Sequence, residues 1–246
     1  MRCDPLTISD AYSRYLVRCQ ALSDTCCETV RRLCEAAFRE YGLPDAIRTD
    51  NGSPFASRGI AGLSRLSVWW LRLGIVPERI DAGHPEQNGR HERMHRTLKA
   101  ETASPPAPTV RGQQRAFDRW RVCFNEERPH EALGERTPAS VYTASPRPYP
   151  ERLASVQYPE DLVVRIVQKA GEFYWRTHRV FLGEAFGGEP IGLEPLDGRH
   201  WLVYYTTVPL GVFAAHRCRM LTAGEAAKVA AEPSPQNPKV STMCPV

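Results

Sequence analysis

No run of apolar residues in this 246-residue chain approaches the roughly 20 that a membrane-spanning helix needs, so a helical membrane protein is excluded. The eight cysteines include no CxxC pair, and no secretory signal pattern opens the sequence. A disulfide framework is therefore not expected, and free thiols in a reducing cytoplasm are, with Cys27 and Cys34 one heptad apart as small core residues. A large excess of one charge is lacking too, the formal balance being +4. Lysine is scarce. The basic side chains are overwhelmingly arginine, the better donor for planar, bidentate contact with phosphate oxygens. The length allows one sizeable core and a smaller second module.

Apolar alternation at Leu6, Ile8, Tyr15 and Val17 around Asp10-Ala11-Tyr12-Ser13 predicts a β-hairpin. A helix is expected from Asp24 or Thr25, with Val30, Leu33, Cys34, Ala37, Phe38 and Tyr41 on one face and Gly42 and Pro44 ending it. A short strand over Ala46 to Thr49 places Asp50 at its C-terminal end, where open α/β sheets put ligand sites. A helix over Ile60 to Leu73, a strand over Ile75 to Ile80, a loop over Asp81 to Pro85 and a helix from near Glu86 to about Glu101 follow. After a Pro-rich segment comes a helix bearing Phe117, Trp120, Val122 and Phe124, closed by Arg128-Pro129-His130. The division expected is 1–143 as an α/β domain, 144–160 as a Pro-rich linker, 161–222 as a small all-β barrel of short strands, and 223–246 as a helical end and tail.

Two acidic signatures carry the chemistry: Arg48-Thr49-Asp50-Asn51-Gly52 and Pro85-Glu86-Gln87-Asn88-Gly89-Arg90-His91-Glu92. Alone, an Asp before Asn-Gly forms turns for local reasons. Jointly, each signature sets one carboxylate beside a tight turn, and the second opens a helix with Arg93, Arg96 and Lys99. Glu92, Arg96 and Lys99 fall at i, i+4 and i+7, so an acid and two cations share a face, while His91, Met94 and Leu98 are offered to the core. Isolated acids beside basic side chains suit a metal-dependent enzyme acting on a phosphate backbone, which makes a polynucleotide the implied substrate. Trp69, Trp70 and Trp120 could stack on bases, but their helical spacing favours core packing.

Thr49-Asp50-Asn51-Gly52, then a helix and a strand, then Pro85-x-Gln87-Asn88-Gly89-x-x-Glu92 with Lys99 seven residues on, resembles the catalytic core of retroviral integrases and bacterial insertion-sequence transposases. These are DDE polynucleotidyl transferases of the ribonuclease-H-like fold. The likeness extends through Leu6-Thr7-Ile8-x-Asp10-x-x-Ser13-Arg14-Tyr15, Asn125-x-x-Arg128-Pro129-His130-x-Ala132-Leu133 and Thr137-Pro138-Ala139-x-x-Tyr142. It implies an α/β ribonuclease-H-like integrase core followed by a small SH3-like barrel. It further implies Asp50 and Glu92 as catalytic, metal-binding carboxylates, and Asn51, Gln87, Arg93, Arg96 and Lys99 as DNA-binding residues. Two Mg²⁺ ions, replaceable by Mn²⁺, DNA element ends and target as partners, a homo-multimer and a bacterial cytoplasmic location complete what the resemblance implies.

The family's first catalytic Asp sits on a strand before Leu6-Thr7-Ile8, and neither Asp4 nor Asp10 fits its place. The core is therefore expected to be N-terminally truncated, lacking its first strand, and inactive in strand transfer as it stands. Two other readings are weighed. One is a non-catalytic DNA-binding transposase remnant. The other is a zinc metalloprotease, because His91-Glu92-Arg93-Met94-His95 satisfies H-E-x-x-H; Gly89 near the first ligand, and Arg93 and Arg96 beside the ion, count against it.

Overall fold

The computed structural model describes residues 3–50, 52–57, 59–80 and 89–231. They form two compact units, one of Met1–Ser57 with Trp69–Leu153 and one of Arg58–Val68 with Ala154–Val246.

The first unit opens with the expected hairpin, β1 (Asp4–Ser9) antiparallel to β2 (Leu16–Leu22), with Thr7 opposite Cys19. Asp10 sets its turn: one carboxylate oxygen accepts the Ser13 N–H at 2.6 Å and the Ser13 hydroxyl at 2.7 Å. Helix α1 (Cys27–Tyr41) buries Val30, Cys34, Ala37 and Phe38, a single stripe at helical spacing. It starts later than Asp24 or Thr25 because Asp24 accepts the Cys26 N–H at 3.1 Å and leaves Cys26 extended. Gly42, at φ 80°, ends it; a side chain there would collide with the Ser145 carbonyl. Cys34 is buried as expected, whereas Cys27, at the first residue of α1, is only half-buried, and burial pushes the Cys34 and Cys19 thiols up to about 12.

Strands β3 (Ala46–Thr49) and β4 (Val76–Arg79) pair in parallel with Ala46 opposite Val76. Between them the single helix expected over Ile60 to Leu73 is broken. Ile60–Gly62 is a 3₁₀ turn with Ala61 at φ 49°, Leu63 is extended, and α2 (Arg65–Arg72) begins only after Ser64, whose hydroxyl accepts the Ser67 N–H at 3.2 Å. Trp69 and Trp70 are buried, as core packing required, and Trp69 stacks on Phe38.

Helices α3 (Gly89–Thr102) and α4 (Val110–Val122) follow; the loop expected over Asp81 to Pro85 and the helix start near Glu86 lie outside the described residues. Thr109 caps α4 by accepting the Gly112 N–H at 3.0 Å. The α4 ladder then widens to a π turn over Cys123–Glu127. Phe117, Trp120 and Phe124 keep one buried face, the wider turn brings Asn125 into the core beside Phe124, and Val122, on the opposite face of α4 from Trp120, is 43% exposed. Leu16, Cys19, Ala21, Met94, Leu98, Phe117, Trp120 and Phe124 make the core where the hairpin meets α3 and α4.

Side-chain amides seal the outer edge of β2. Asn125 accepts the Leu16 N–H at 2.8 Å and donates to the Leu16 carbonyl at 3.1 Å; Gln114 accepts the Ala21 N–H at 2.7 Å and donates to the Cys19 carbonyl at 3.0 Å. Short α5 (Pro138–Val141) leads to Tyr142, whose ring stacks on Tyr15 at 4.3 Å. Beyond it Arg147 donates to the carbonyls of Pro44, Leu73 and Gly74.

The second unit is a curled half-barrel where a barrel was expected. Its five-stranded antiparallel sheet runs β11 (Arg219–Met220), β10 (Val208–Ala214), β9 (His200–Tyr205), β8 (Pro190–Pro195), β5 (Val163–Ile166), and β6 (Glu172–Trp175) pairs with β7 (His178–Phe181) as a separate hairpin. The sheet does not close because β5 pairs with β8 and the β6–β7 hairpin stays separate. Phe173, Phe186, Ile191, Leu193, Val203, Tyr205 and Phe213 fill it. Helix α6 (Ala223–Ala231) follows, and Glu225 on it accepts both guanidinium nitrogens of Arg219.

Asn125 is the side chain whose loss this architecture tolerates least. Asn125→Leu removes both partners of a buried Leu16 peptide and is expected to lower stability by about 2–4 kcal/mol, measured by urea unfolding at constant m. A loss under about 0.5 kcal/mol would show that the β2 edge finds other partners.

Candidate functional site

Asp50 ends β3 and is exposed. Its Oδ1 accepts the Gly52 N–H at 3.0 Å, and the Gly52 carbonyl in turn accepts the N–H groups of Phe55 and Ala56. The carboxylate is thus fixed by a local turn that needs a small residue: a Cβ on Gly52 would lie 3.1 Å from Asp50 Oδ1. Arg48, before it, pairs instead with Glu78 of β4 at 2.8 Å.

Helix α3 separates two sets of side chains. Met94 and Leu98 are buried in the core. Glu92, Arg93, Arg96 and Lys99 are exposed. Glu92, Arg96 and Lys99 line one groove of about 530 Å³ whose other walls are Cys3 and Pro5 from the start of β1 and Thr109, Val110, Gln113 and Phe117 from α4. Arg93 is not among the groove residues, and Asn51 and Gln87 lie outside the described residues. The far end of α3 is tied down: Glu101 accepts from Arg128 at 2.7 Å and from the Trp120 indole at 2.8 Å. The Arg128 guanidinium holds that carboxyl below the usual range.

His91 and His95 turn toward β1. Their Nε2 atoms lie 3.1 Å apart and meet the Thr7 hydroxyl at 2.9 and 2.7 Å. Burial, and then His95, push His91 down to about 4, while Asp50 acts against the shift. Burial also lowers His95.

Asp50 and Glu92 are hard oxygen donors of the kind Mg²⁺ prefers. Among the described residues, however, no group of three His, Cys, Asp or Glu side chains could hold a metal ion. The described set therefore does not complete a two-ion site, and the His91/His95 pair gains no third acidic or thiolate ligand. In the half-barrel Arg179 pairs with Glu172, and Arg217 and Arg219 with Glu225.

Several residues that matter to the site escaped sequence reasoning. Asn125, Arg128 and His130 were noticed only as part of a pattern. They prove to be anchors: Asn125 on β2, Arg128 on α3, and His130 edge-on against Phe124 at 4.8 Å. Asn125-x-x-Arg128 on a helix end was the available signal, since polar side chains at a core-facing position need buried partners. No helix of the described residues is long and apolar enough to cross a membrane.

Residues 2–85 and 73–138 match two family models, each describing an integrase core domain. An uncharacterized 31.7 kDa protein of insertion element IS407 from Burkholderia multivorans (strain ATCC 17616 / 249) is 34% identical over 111 residues, 45% of this chain and 38% of that protein. An uncharacterized 39.2 kDa protein of insertion element IS476 from Xanthomonas euvesicatoria is 31% identical over 135 residues, 54% of this chain and 37% of that one. The chain thus spans little over a third of the length of these relatives. The catalytic core domain of BIV integrase superposes with a TM-score of 0.44 at 21% identity, covering 57% of this chain and 90% of that domain.

The buried imidazole gives a test of this geometry. Unfolded His91 takes a proton near pH 6.5 and the folded one only near 4, so the unfolded state binds more protons between those values. In chelator-treated buffer, stability is expected to be full above about pH 6.5 and to fall as the pH drops toward 4, by at most about 3 kcal/mol. His91→Gln should flatten that slope in urea unfolding; an unchanged slope would place the ring in solvent.

Proposed function

The chain belongs to the integrase core domain proteins, related to those of insertion elements and to retroviral integrases, and we propose that in complete form it cleaves and transfers DNA strands as a Mg²⁺-dependent transposase. The observation that carries this reading is the groove along α3, where Glu92, Arg96 and Lys99 line one wall. Asp50 stands at the end of β3.

Arg96 and Lys99 supply two cations along one helix face, enough to hold neighbouring phosphates of a DNA backbone and set its register. Glu92, a turn nearer the helix start, meets the same backbone with a carboxylate that repels it unless a cation stands between. Asp50 and Glu92 are accordingly the residues that would hold Mg²⁺, or Mn²⁺ in its place, and the bound ions would supply charge stabilisation for an in-line displacement at phosphorus. Asn51, Gln87 and Arg93 are read as further DNA contacts.

A third carboxylate belongs, in this reading, on a further strand lying between β1 and β3. Support comes from the pairing: among the described residues β1 is hydrogen-bonded to β2 alone and β3 to β4 alone, so each keeps one edge open. With only the two described carboxylates, residues 1–246 are read as binding DNA without nicking or joining it, as a non-catalytic DNA-binding remnant would. We take 1–143 as the core, 144–160 as linker, 161–222 as an SH3-like module that contacts DNA, and 223–246 as tail. Element ends and target DNA are the partners, and the working form is a homo-multimer.

Two substitutions in the full insertion-element protein test this. Lys99→Ala should weaken DNA binding and reduce the slope of log affinity against log salt by about one, as loss of one phosphate contact requires. Glu92→Gln should leave DNA bound and abolish strand transfer with Mg²⁺. Strand transfer that survives Glu92→Gln, or a salt slope that ignores Lys99, would refute the assignment.

A further inference from the structure

Two histidines of α3, His91 and His95, take no part in the proposed DNA chemistry of Glu92. His91 and His95 stand one turn apart on α3, and their Nε2 atoms converge to 3.1 Å. Two imidazole nitrogens bound to one zinc ion, each at about 2.0–2.1 Å, lie roughly 3.1–3.4 Å apart. The third member, Thr7 Oγ1, is 2.9 Å from His91 Nε2 and 2.7 Å from His95 Nε2. A point about 2.1 Å from all three atoms exists about 1.3 Å out of their plane, leaving the remaining positions to water. Thr7 sits on β1, so the three atoms join a strand to a helix.

We propose that His91 and His95, with the Thr7 hydroxyl, form a site for one borderline divalent transition ion such as Zn²⁺, separate from the carboxylates that would take Mg²⁺. Imidazole nitrogen selects zinc, nickel or copper over magnesium, and a hydroxyl as the sole oxygen ligand from the protein gives Mg²⁺ none of the carboxylates it prefers. Both rings are half-buried and meet Thr7 of β1, whereas Arg93 and Arg96 are exposed, and Arg96 lines the groove beside His95. Asp50, within electrostatic reach of His91, favours a cation there. The site is no peptidase centre. Its role is to pin the first turn of α3 to β1 and so to fix where Glu92 stands. It depends on the Thr7–His91–His95 geometry alone, so it can fail while the DNA reading stands, and the reverse.

The test uses the full chain, stripped with chelator and titrated with Zn²⁺ in millimolar Mg²⁺, with bound metal counted by elemental analysis after desalting and Co²⁺ used as a spectroscopic substitute. The wild type is expected to retain one zinc per chain. His95→Gln and His91→Gln should each weaken binding at least roughly tenfold, and the double variant should hold none at this site. Thr7→Val keeps the shape and should weaken binding less than either histidine change. Co²⁺ should give a spectrum without thiolate charge-transfer bands. As a readout that survives poor folding of one variant, Zn²⁺ should raise the melting temperature of the wild type and of Thr7→Val but not of the double histidine variant. No stoichiometric zinc in the wild type, equal binding by the double variant, or a cobalt spectrum with thiolate bands that assigns the ion to cysteines would overturn the site.

Discussion

A sheet edge that is buried must still find partners for its peptide groups, and this requirement fixes the first unit. The outer edge of β2 has no neighbouring strand among the described residues, and two amide side chains take its place. Asn125 and Gln114 bond both donors and acceptors of that edge, so α4 and the π turn after it cannot slide along β2 without stranding peptide groups at a cost of about 1–3 kcal/mol each. Helix α4 passes the constraint to α3: buried Gln113 donates to the Thr102 carbonyl at 3.0 Å, and Trp120 and Arg128 both converge on Glu101. Glu92, Arg96 and Lys99 of the groove stand on α3, whose position these amides fix.

Helix α3 then divides its duties by face. Met94 and Leu98 hold it in the core, the two histidines fasten its first turn to Thr7, and Glu92, Arg96 and Lys99 remain exposed. A helix with so few buried residues would be weakly held by apolar burial alone, since each contributes only about 1.5–3 kcal/mol. The polar ties at its two ends, Thr7 at the start and Arg128 near the finish, compensate while leaving one face free.

The hairpin, α1 and the cluster on α3 were legible because they depend on short-range rules: alternation, helical spacing, and Asp in a turn. Trp69, Trp70 and Trp120 were legible as core for the same reason. Sequence periodicity failed where a local device interrupts the helical count. Ser64 restarts the helix that the turn at Ile60–Gly62 breaks, and the π turn at Cys123–Glu127 turns polar Asn125 into the core. The half-barrel was read as a barrel because strand count is visible in a sequence and closure, a matter of long-range pairing, is not. For the site, Glu92, Arg96 and Lys99 on one face followed from spacing. The meeting of His91 and His95 with Thr7, 84 and 88 residues away, could not have been found without the fold.

The central claim is that DNA runs along the α3 groove. Site-specific photo-crosslinking of the full insertion-element protein to element-end DNA tests it most directly, with the crosslinker placed at Lys99 and, separately, at exposed Arg119 of α4. The account predicts an efficient crosslink from position 99, suppressed by salt, and little from position 119. Equal crosslinking from both positions, or none from 99 while DNA remains bound, would contradict it.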